Sequence, residues 1–289
     1  MGNNKLVSVI ITTYKRGRKL SDALISVIQQ THQNIEIIVV DDDPDSLQSK
    51  LCNSIKDEYN VRLKYIRNAT NMGGGQSRNI GIDNSSGEYV CFLDDDDLYY
   101  PEKVECLLKK ISHNKHLDVV FGGLVKNGAV VFPVPQKGIK LDGLKHLKYL
   151  HTNTSLIKRK CINKVRFLPK LPKFQDTQFH AYLIKEFNCY YYDNPVAIWN
   201  SEHAGEQVTD MTTQIKIKKS IDSYIMLIND LRVKKYLSFA EHIKMKVSLI
   251  NMLRNYFFRF GKISDFEISL LDKIISIALS YIYKYDKYA

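Results

Sequence analysis

No apolar run in this 289-residue chain approaches the ~20 residues that a membrane-spanning helix requires. Its five cysteines (Cys52, Cys91, Cys106, Cys161 and Cys189) are scattered and form no C-x-x-C pair. Such usage fits a reducing compartment better than a disulfide framework. The opening Met1-Gly2-Asn3-Asn4-Lys5 leads straight into an apolar β-pattern and does not read as a secretory leader. The expectation is a cytoplasmic protein, at most peripheral at the inner face of the cell membrane. Two nucleotide-binding signatures are missing as well. The glycines at 73–75 are not followed by the third glycine of a dinucleotide fingerprint, and no Gly-Lys-Ser/Thr of a P-loop follows them. The chain also lacks internal repeats and low-complexity stretches.

Acidic residues are the minority, 31 against 42 lysines and arginines, for a formal net charge of +11. That balance points to an acidic partner: a phosphorylated ligand, nucleic acid or an anionic membrane. The acids that are present gather in two places. A buried β-run over Tyr89–Leu93 drives into Asp94, Asp95, Asp96 and Asp97, after which Pro101 opens a helical pattern through Val104, Leu107, Leu108 and Ile111. Adjacent carboxylates repel and call for a cation or basic neighbours. In extended chain, Asp94 and Asp96 face one side, and carboxylate oxygens suit Mg2+ or Mn2+ better than zinc. Three plainer readings compete. A solvated acidic loop is common. A calcium EF-hand loop fails because Leu98 sits at a ligand position and Tyr99 where a glycine must turn. Helix capping by Asp97 is compatible with metal binding.

The second gathering, Asp41-Asp42-Asp43, ends another buried strand, Ile35–Val40. A third β-run, Val7–Tyr14, ends in hydroxyl residues and a basic turn of Lys15, Arg16 and Arg18. Helical spacing joins Leu20, Ala23, Leu24, Val27 and Ile28, then Leu47, Leu51 and Ile55, with a further strand over 61–66. Strand-helix alternation predicts a parallel sheet with crossover helices, whose ligands bind beyond the carboxyl ends of the strands. Gly73–Gly75 lead into a short helix over 76–82, a ready anion site with Arg78 in its first turn. A strand over Leu117–Phe121, a turn-rich insert over 122–152, a return over 154–157, a helix after Phe174 and a strand at Tyr190–Tyr192 follow. From Met211 the chain turns helical and basic. Its apolar stripes run through Ile221, Tyr224, Ile225 and Ile228, through Ile243, Val247, Ile250 and Leu253, and through Leu270, Ile274, Ile277 and Tyr281. Core packing and an anionic membrane surface are equally open for these helices.

Taken in order, Val7–Tyr14, Gln30–Asp42, Ser77–Ile82 and Phe92–Asp97 make the chain resemble the family 2 nucleotide-sugar glycosyltransferases of bacterial surface-polysaccharide type. The resemblance covers about residues 5 to 205 and implies the GT-A fold: a Rossmann-like, mostly parallel mixed sheet flanked by helices. A GT-A nucleotide-sugar-binding and catalytic domain over 1–210 and a C-terminal helical region over 211–289 are expected. It implies that Thr12 and Tyr14 line the nucleobase and ribose pocket, and that Asp42 hydrogen-bonds the base, with uracil preferred. Arg78 would meet the diphosphate, while Asp94 and Asp95 belong to the donor site. Asp96 and His203 would hold Mn2+ or Mg2+. Asp176 would be the general base, in Gln175-Asp176 where relatives carry Glu-Asp, and Asp43-Pro44 replaces a usual glycine and serine.

The implied reaction is inverting, metal-dependent transfer of a sugar from a UDP-sugar to a hydroxyl of a glycan or lipid-linked acceptor in polysaccharide biosynthesis. Rival expectations are a metal-dependent nucleotidyltransferase or phosphohydrolase, and a basic nucleic-acid-binding protein. The last is disfavoured because phosphate backbones avoid an acid-rich face.

Overall fold

The computed structural model describes residues 5–126, 128–131, 138–200, 213–260 and 266. In its first third, β1 (Val7–Thr13), α1 (Gly17–Ile28), β2 (Ile35–Asp41), α2 (Gln48–Tyr59), β3 (Arg62–Arg67), α3 (Gly74–Asp83) and β4 (Tyr89–Asp94) alternate strictly. β1 pairs in parallel with both β2 and β4, and β2 pairs in parallel with β3. Val7, Val9, Ile10 and Ile11 are fully buried, as expected of a β-branched strand covered on both faces. Parallel pairing puts the ends of β1, β2 and β4 along one edge, so both acid gatherings open there.

The chain continues through β5 (Leu98–Tyr99), α4 (Lys103–His113), β6 (Val119–Lys126), β7 (Ala129–Val130) and β8 (Ile139–Leu141). Two 3-10 turns, Leu144–Tyr149 and Thr152–Thr154, precede β9 (Ser155–Lys158), α5 (Arg159–Lys164), α6 (Gln175–Glu186) and β10 (Cys189–Ile198). The sheet order is β3-β2-β1-β4-β9-β6-β10-β5, with β7 on β6 and β8 on β10. β9 runs antiparallel to β4 and β6, while β6 and β10 are parallel. The result is the mixed, mostly parallel sheet that was expected.

Two local expectations change. The strand expected over Leu117–Phe121 runs on through Gly122 and Gly123 to Lys126. A Cβ on Gly122 would lie 2.5 Å from Val196 Cγ1, so this glycine serves the close approach of β6 and β10 rather than a turn. Nor does Asp97 cap α4. Glu102 occupies the N-cap without a side-chain bond, and Asp97 is drawn into the site described below.

The chain divides into two compact units, residues 1–169 with 179–202, and residues 170–178 with 203–289. In the second, α7 (Gln214–Val233) and α8 (Phe239–Phe260) pack Ile217, Ile221 and Ile228 with Leu249, Leu253 and Tyr256, and Phe266 joins this core from beyond α8. Ser238 and Glu241 form a reciprocal capping box at the start of α8: the Glu241 N–H donates to Ser238 Oγ at 3.2 Å, and the Ser238 N–H donates to Glu241 Oε2 at 2.9 Å. The stripe expected through Ile243, Val247, Ile250 and Leu253 is packed only in part: Leu253 is fully buried, whereas Ile243 and Val247 are 45% and 52% exposed. The stripe of Leu270, Ile274, Ile277 and Tyr281 lies outside the described residues. No described helix is long and apolar enough to cross a membrane.

Candidate active site

Each strand end delivers one part of the site. β4 stops at Asp94, and Asp95 and Asp96 form a turn before Asp97 and β5. The simple alternation expected of an extended run therefore ends at Asp94. Arg78, in the first turns of α3, donates to Asp94 Oδ1 at 2.7 Å, with its guanidinium 5.4 Å from the centre of the Phe167 ring. Arg16, just after β1, donates to Asp96 Oδ2 and lies 3.6 Å from Asp95 Oδ1. Thr13 Oγ1 donates to Asp95 Oδ2 at 2.6 Å. The repulsion among adjacent acids is thus relieved by two arginines from separate elements, Arg16 from the turn after β1 and Arg78 from helix α3.

Asp97 is 2% exposed. Its carboxylate accepts Asn153 Nδ2 at 2.5 Å and the Asn200 N–H at 3.0 Å. Burial, then the neighbouring charges of Asp94 and Asp96, push its pKa up to about 8. Burial likewise lifts Asp95 to about 7, opposed by the Thr13 hydrogen bond and by Arg16. These groups hold protons near neutrality unless a cation takes their place.

Among the described residues, Asp94, Asp97 and His151 bring one donor atom each within 4.8 Å of one another. Two carboxylates and an imidazole fit a divalent cation such as Mn2+. His151 Nδ1 also accepts the Asn153 N–H at 3.3 Å, and its ring stacks 6.3 Å from Trp199. A cation ligated through Nδ1 would displace that long bond, whereas Nε2 would leave it intact. Asp96, expected as the direct ligand, is held here by Arg16. His203 lies outside the described residues.

At the end of β2, Asp42 accepts the N–H groups of Met72 at 2.8 Å and Gly73 at 2.7 Å, and Asn68 Nδ2 at 2.8 Å. Gly73 caps α3 with φ +81, a conformation that favours glycine. Asp42 therefore anchors the glycine loop, and three donors leave its two oxygens about one further acceptor position. Thr12 is half-buried and Tyr14 is 43% exposed beside the turn at Lys15, whose φ is +59. Asp176 stands half-buried in the first turn of α6, after Phe174 with φ +61, in the segment that belongs to the second compact unit.

Several of these residues were not singled out in the sequence. Arg16 had a visible signal, its place in the basic turn after β1. Thr13 sat between two chosen neighbours. His151, Asn153 and Asn200 carry no local signal, because the insert and the β10 connection bring them to β4 only in the folded chain.

The sequence profile of Glycosyl transferase family 2 matches residues 8–177. An uncharacterised glycosyltransferase of Haemophilus influenzae is 37% identical over 116 residues, 40% of this chain and 38% of that protein. The chain's match thus spans well under two thirds of that relative's length. The crystal structure of S. aureus TarS 1–349 in complex with UDP-GlcNAc aligns with a TM-score of 0.63 at 20% identity, over 94% of this chain and 78% of that one. The Pyrobaculum calidifontis mannosyltransferase PcManGT, in complex with GDP-Man and Mn2+, aligns with a TM-score of 0.57 at 14% identity, over 98% and 81%. The chain has the GT-A fold and belongs to glycosyl transferase family 2.

Proposed function

We propose that this chain is an inverting, hexosyltransferase-type enzyme that moves a sugar from a nucleoside-diphosphate donor, preferably a UDP-sugar, to a hydroxyl of a glycan or lipid-linked acceptor in polysaccharide assembly. The observation that carries the reading is the convergence of Arg16, Arg78 and Asp94–Asp97 at the carboxyl ends of β1 and β4. Ligands in α/β sheets bind at such edges. UDP-GlcNAc in TarS and GDP-Man with Mn2+ in PcManGT support the donor class.

Thr12 and Tyr14 would line the base and ribose, with Asp42 holding the base through its remaining acceptor position. Arg78, now paired with Asp94, would turn to the diphosphate. Asp94, Asp96, Asp97, His151 and His203 are the residues that would hold Mn2+ or Mg2+. Bound there, the cation supplies neutralisation of the negative charge on the departing diphosphate. Arg78 adds a fixed positive charge to the same oxygens. Asp176 takes the proton of the acceptor hydroxyl as its oxygen attacks the anomeric carbon. The new C–O bond forms on the face opposite the breaking bond to the diphosphate, so an α-linked donor yields a β-linked product. The released nucleoside diphosphate keeps the bonding electrons.

Asp176→Asn tests the assignment. Sugar transfer should fall by roughly 10²-fold or more, the scale of lost general-base catalysis, while UDP binding stays at the wild-type level. Full transfer by this variant would remove Asp176 from the mechanism.

A further inference from the structure

Lys103 is fully buried, with 0% exposure at the start of α4. Its ammonium donates to the main-chain oxygen of Asn153 at 2.7 Å and lies 3.3 Å from the centre of the Tyr99 ring. That ring is fixed in turn, since Tyr99 Oη donates to the Phe92 oxygen at 2.5 Å. Burial pulls the Lys103 pKa down to about 7. Enclosing an ammonium is costly, and an apolar side chain of similar length would fill the same space without that cost. The cost points to a task beyond packing.

Asn153, at 0% exposure, shows what the task is. Its Oδ1 accepts the Asp94 N–H at 3.1 Å, and its Nδ2 donates to Asp97 Oδ2 at 2.5 Å. Its own N–H donates to His151 Nδ1 at 3.3 Å, and its carbonyl takes the Lys103 ammonium. Every polar atom of Asn153 is engaged. Three of its four hydrogen bonds go to members of the Asp94–Asp97–His151 group.

We propose that Lys103 and Asn153 form a positioning pair: the buried ammonium fixes the Asn153 main chain, and Asn153 sets the spacing of Asp94, Asp97 and His151. The spacing tunes the affinity for a cation-bound diphosphate, a consequence that rests on the donor-site reading above. Neither residue touches the reacting atoms. Supporting residues of this kind hold ligands in place, and their loss weakens metal affinity by roughly 10–100-fold.

The test uses the full chain with Lys103→Met, Asn153→Ser and the double variant, each titrated calorimetrically with UDP in Mn2+ and again in EDTA. The expected result is roughly 10–100-fold weaker UDP binding in Mn2+ with little change in EDTA. The double variant should be no weaker than Asn153→Ser alone, because Lys103 acts through Asn153. Hydrogen exchange of the Asp94 amide should quicken in both single variants. Wild-type Mn2+-UDP affinity in Lys103→Met, or equal weakening with and without Mn2+, would overturn the proposal. If the wild-type chain binds no UDP in Mn2+, the donor-site reading fails, and the Asp94 amide then decides. Faster exchange in Lys103→Met sustains the positioning pair, and unchanged exchange overturns it. Should Asn153→Ser fail to fold, Lys103→Met carries the same two readouts.

Discussion

The acids after β4 carry a pH dependence of their own. Burial raises Asp97 to about 8 and Asp95 to about 7, from an ordinary 3.8. The folded chain therefore holds these protons more tightly than the unfolded one. Their stabilising contribution is complete below pH about 4 and is lost as pH rises towards 7 and 8. In EDTA, the wild-type melting temperature should fall between pH 5.5 and pH 8 by more than that of Asp97→Asn, which has no proton to lose at this position. Mn2+ should reverse the order, stabilising the wild type most at pH 8, where the carboxylates are free to ligate. Thermal melts with and without Mn2+ read both effects, and equal pH slopes for wild type and Asp97→Asn would contradict the account. The same physics explains why one could foresee that the acids need positive partners but not which partners. Charge repulsion is local in sequence, whereas Arg16 and Arg78 reach Asp96 and Asp94 across 80 and 16 residues.

Among the elements, the parallel half of the sheet was legible because β1, β2 and β4 are covered on both faces and read as near-continuous apolar runs, broken only by Ser8 in β1 and Glu36 in β2 before their polar ends. The order β4-β9-β6-β10 was not. A return to the sheet over 154–157 was expected, but at four residues β9 is too short for its spacing to show that it runs antiparallel between β4 and β6. The second half of β6 hides behind Gly122 and Gly123, which read as turn residues until β10 is laid alongside. That packing is testable. A valine at position 122 would drive Cβ into Val196, whose nearest carbon would be 2.5 Å away. Gly122→Val should cost about 1–3 kcal/mol, the range for overpacking a well-filled core, read from urea unfolding. A variant as stable as wild type would mean that the two strands are not in such close contact. On α8, Ile243 and Val247 share a sequence stripe with Leu253, yet Leu249, Leu253 and Tyr256 carry the buried face. Apolar residues on both sides of one helix make its register ambiguous from spacing alone.

Across the whole molecule, a chain of net charge +11 keeps a cluster of carboxylates at its candidate active site. The excess positive charge therefore lies elsewhere, and in the second unit it accompanies exposed apolar residues. Ile215 is 80% exposed and Phe239 84%. Lys216, Lys218 and Lys219 on α7, and Lys244 and Lys246 on α8, belong to the same two helices. We expect this unit to hold the enzyme at an anionic membrane where a lipid-linked acceptor resides. Flotation with phosphatidylglycerol vesicles should capture the wild type at low salt, and Phe239→Ser/Ile243→Ser several-fold less; equal capture would reject the membrane role.

The central claim is that the acids at the end of β4 and their neighbours form a cation-dependent nucleoside-diphosphate site. Calorimetric titration of the full chain with UDP and GDP, in Mn2+ and then in EDTA, tests it most directly. The account predicts saturable binding of at least one nucleotide in Mn2+, weakened tenfold or more by EDTA and likewise by Asp94→Ala. Absence of binding by both nucleotides in Mn2+, or binding indifferent to EDTA and to Asp94→Ala, would contradict it.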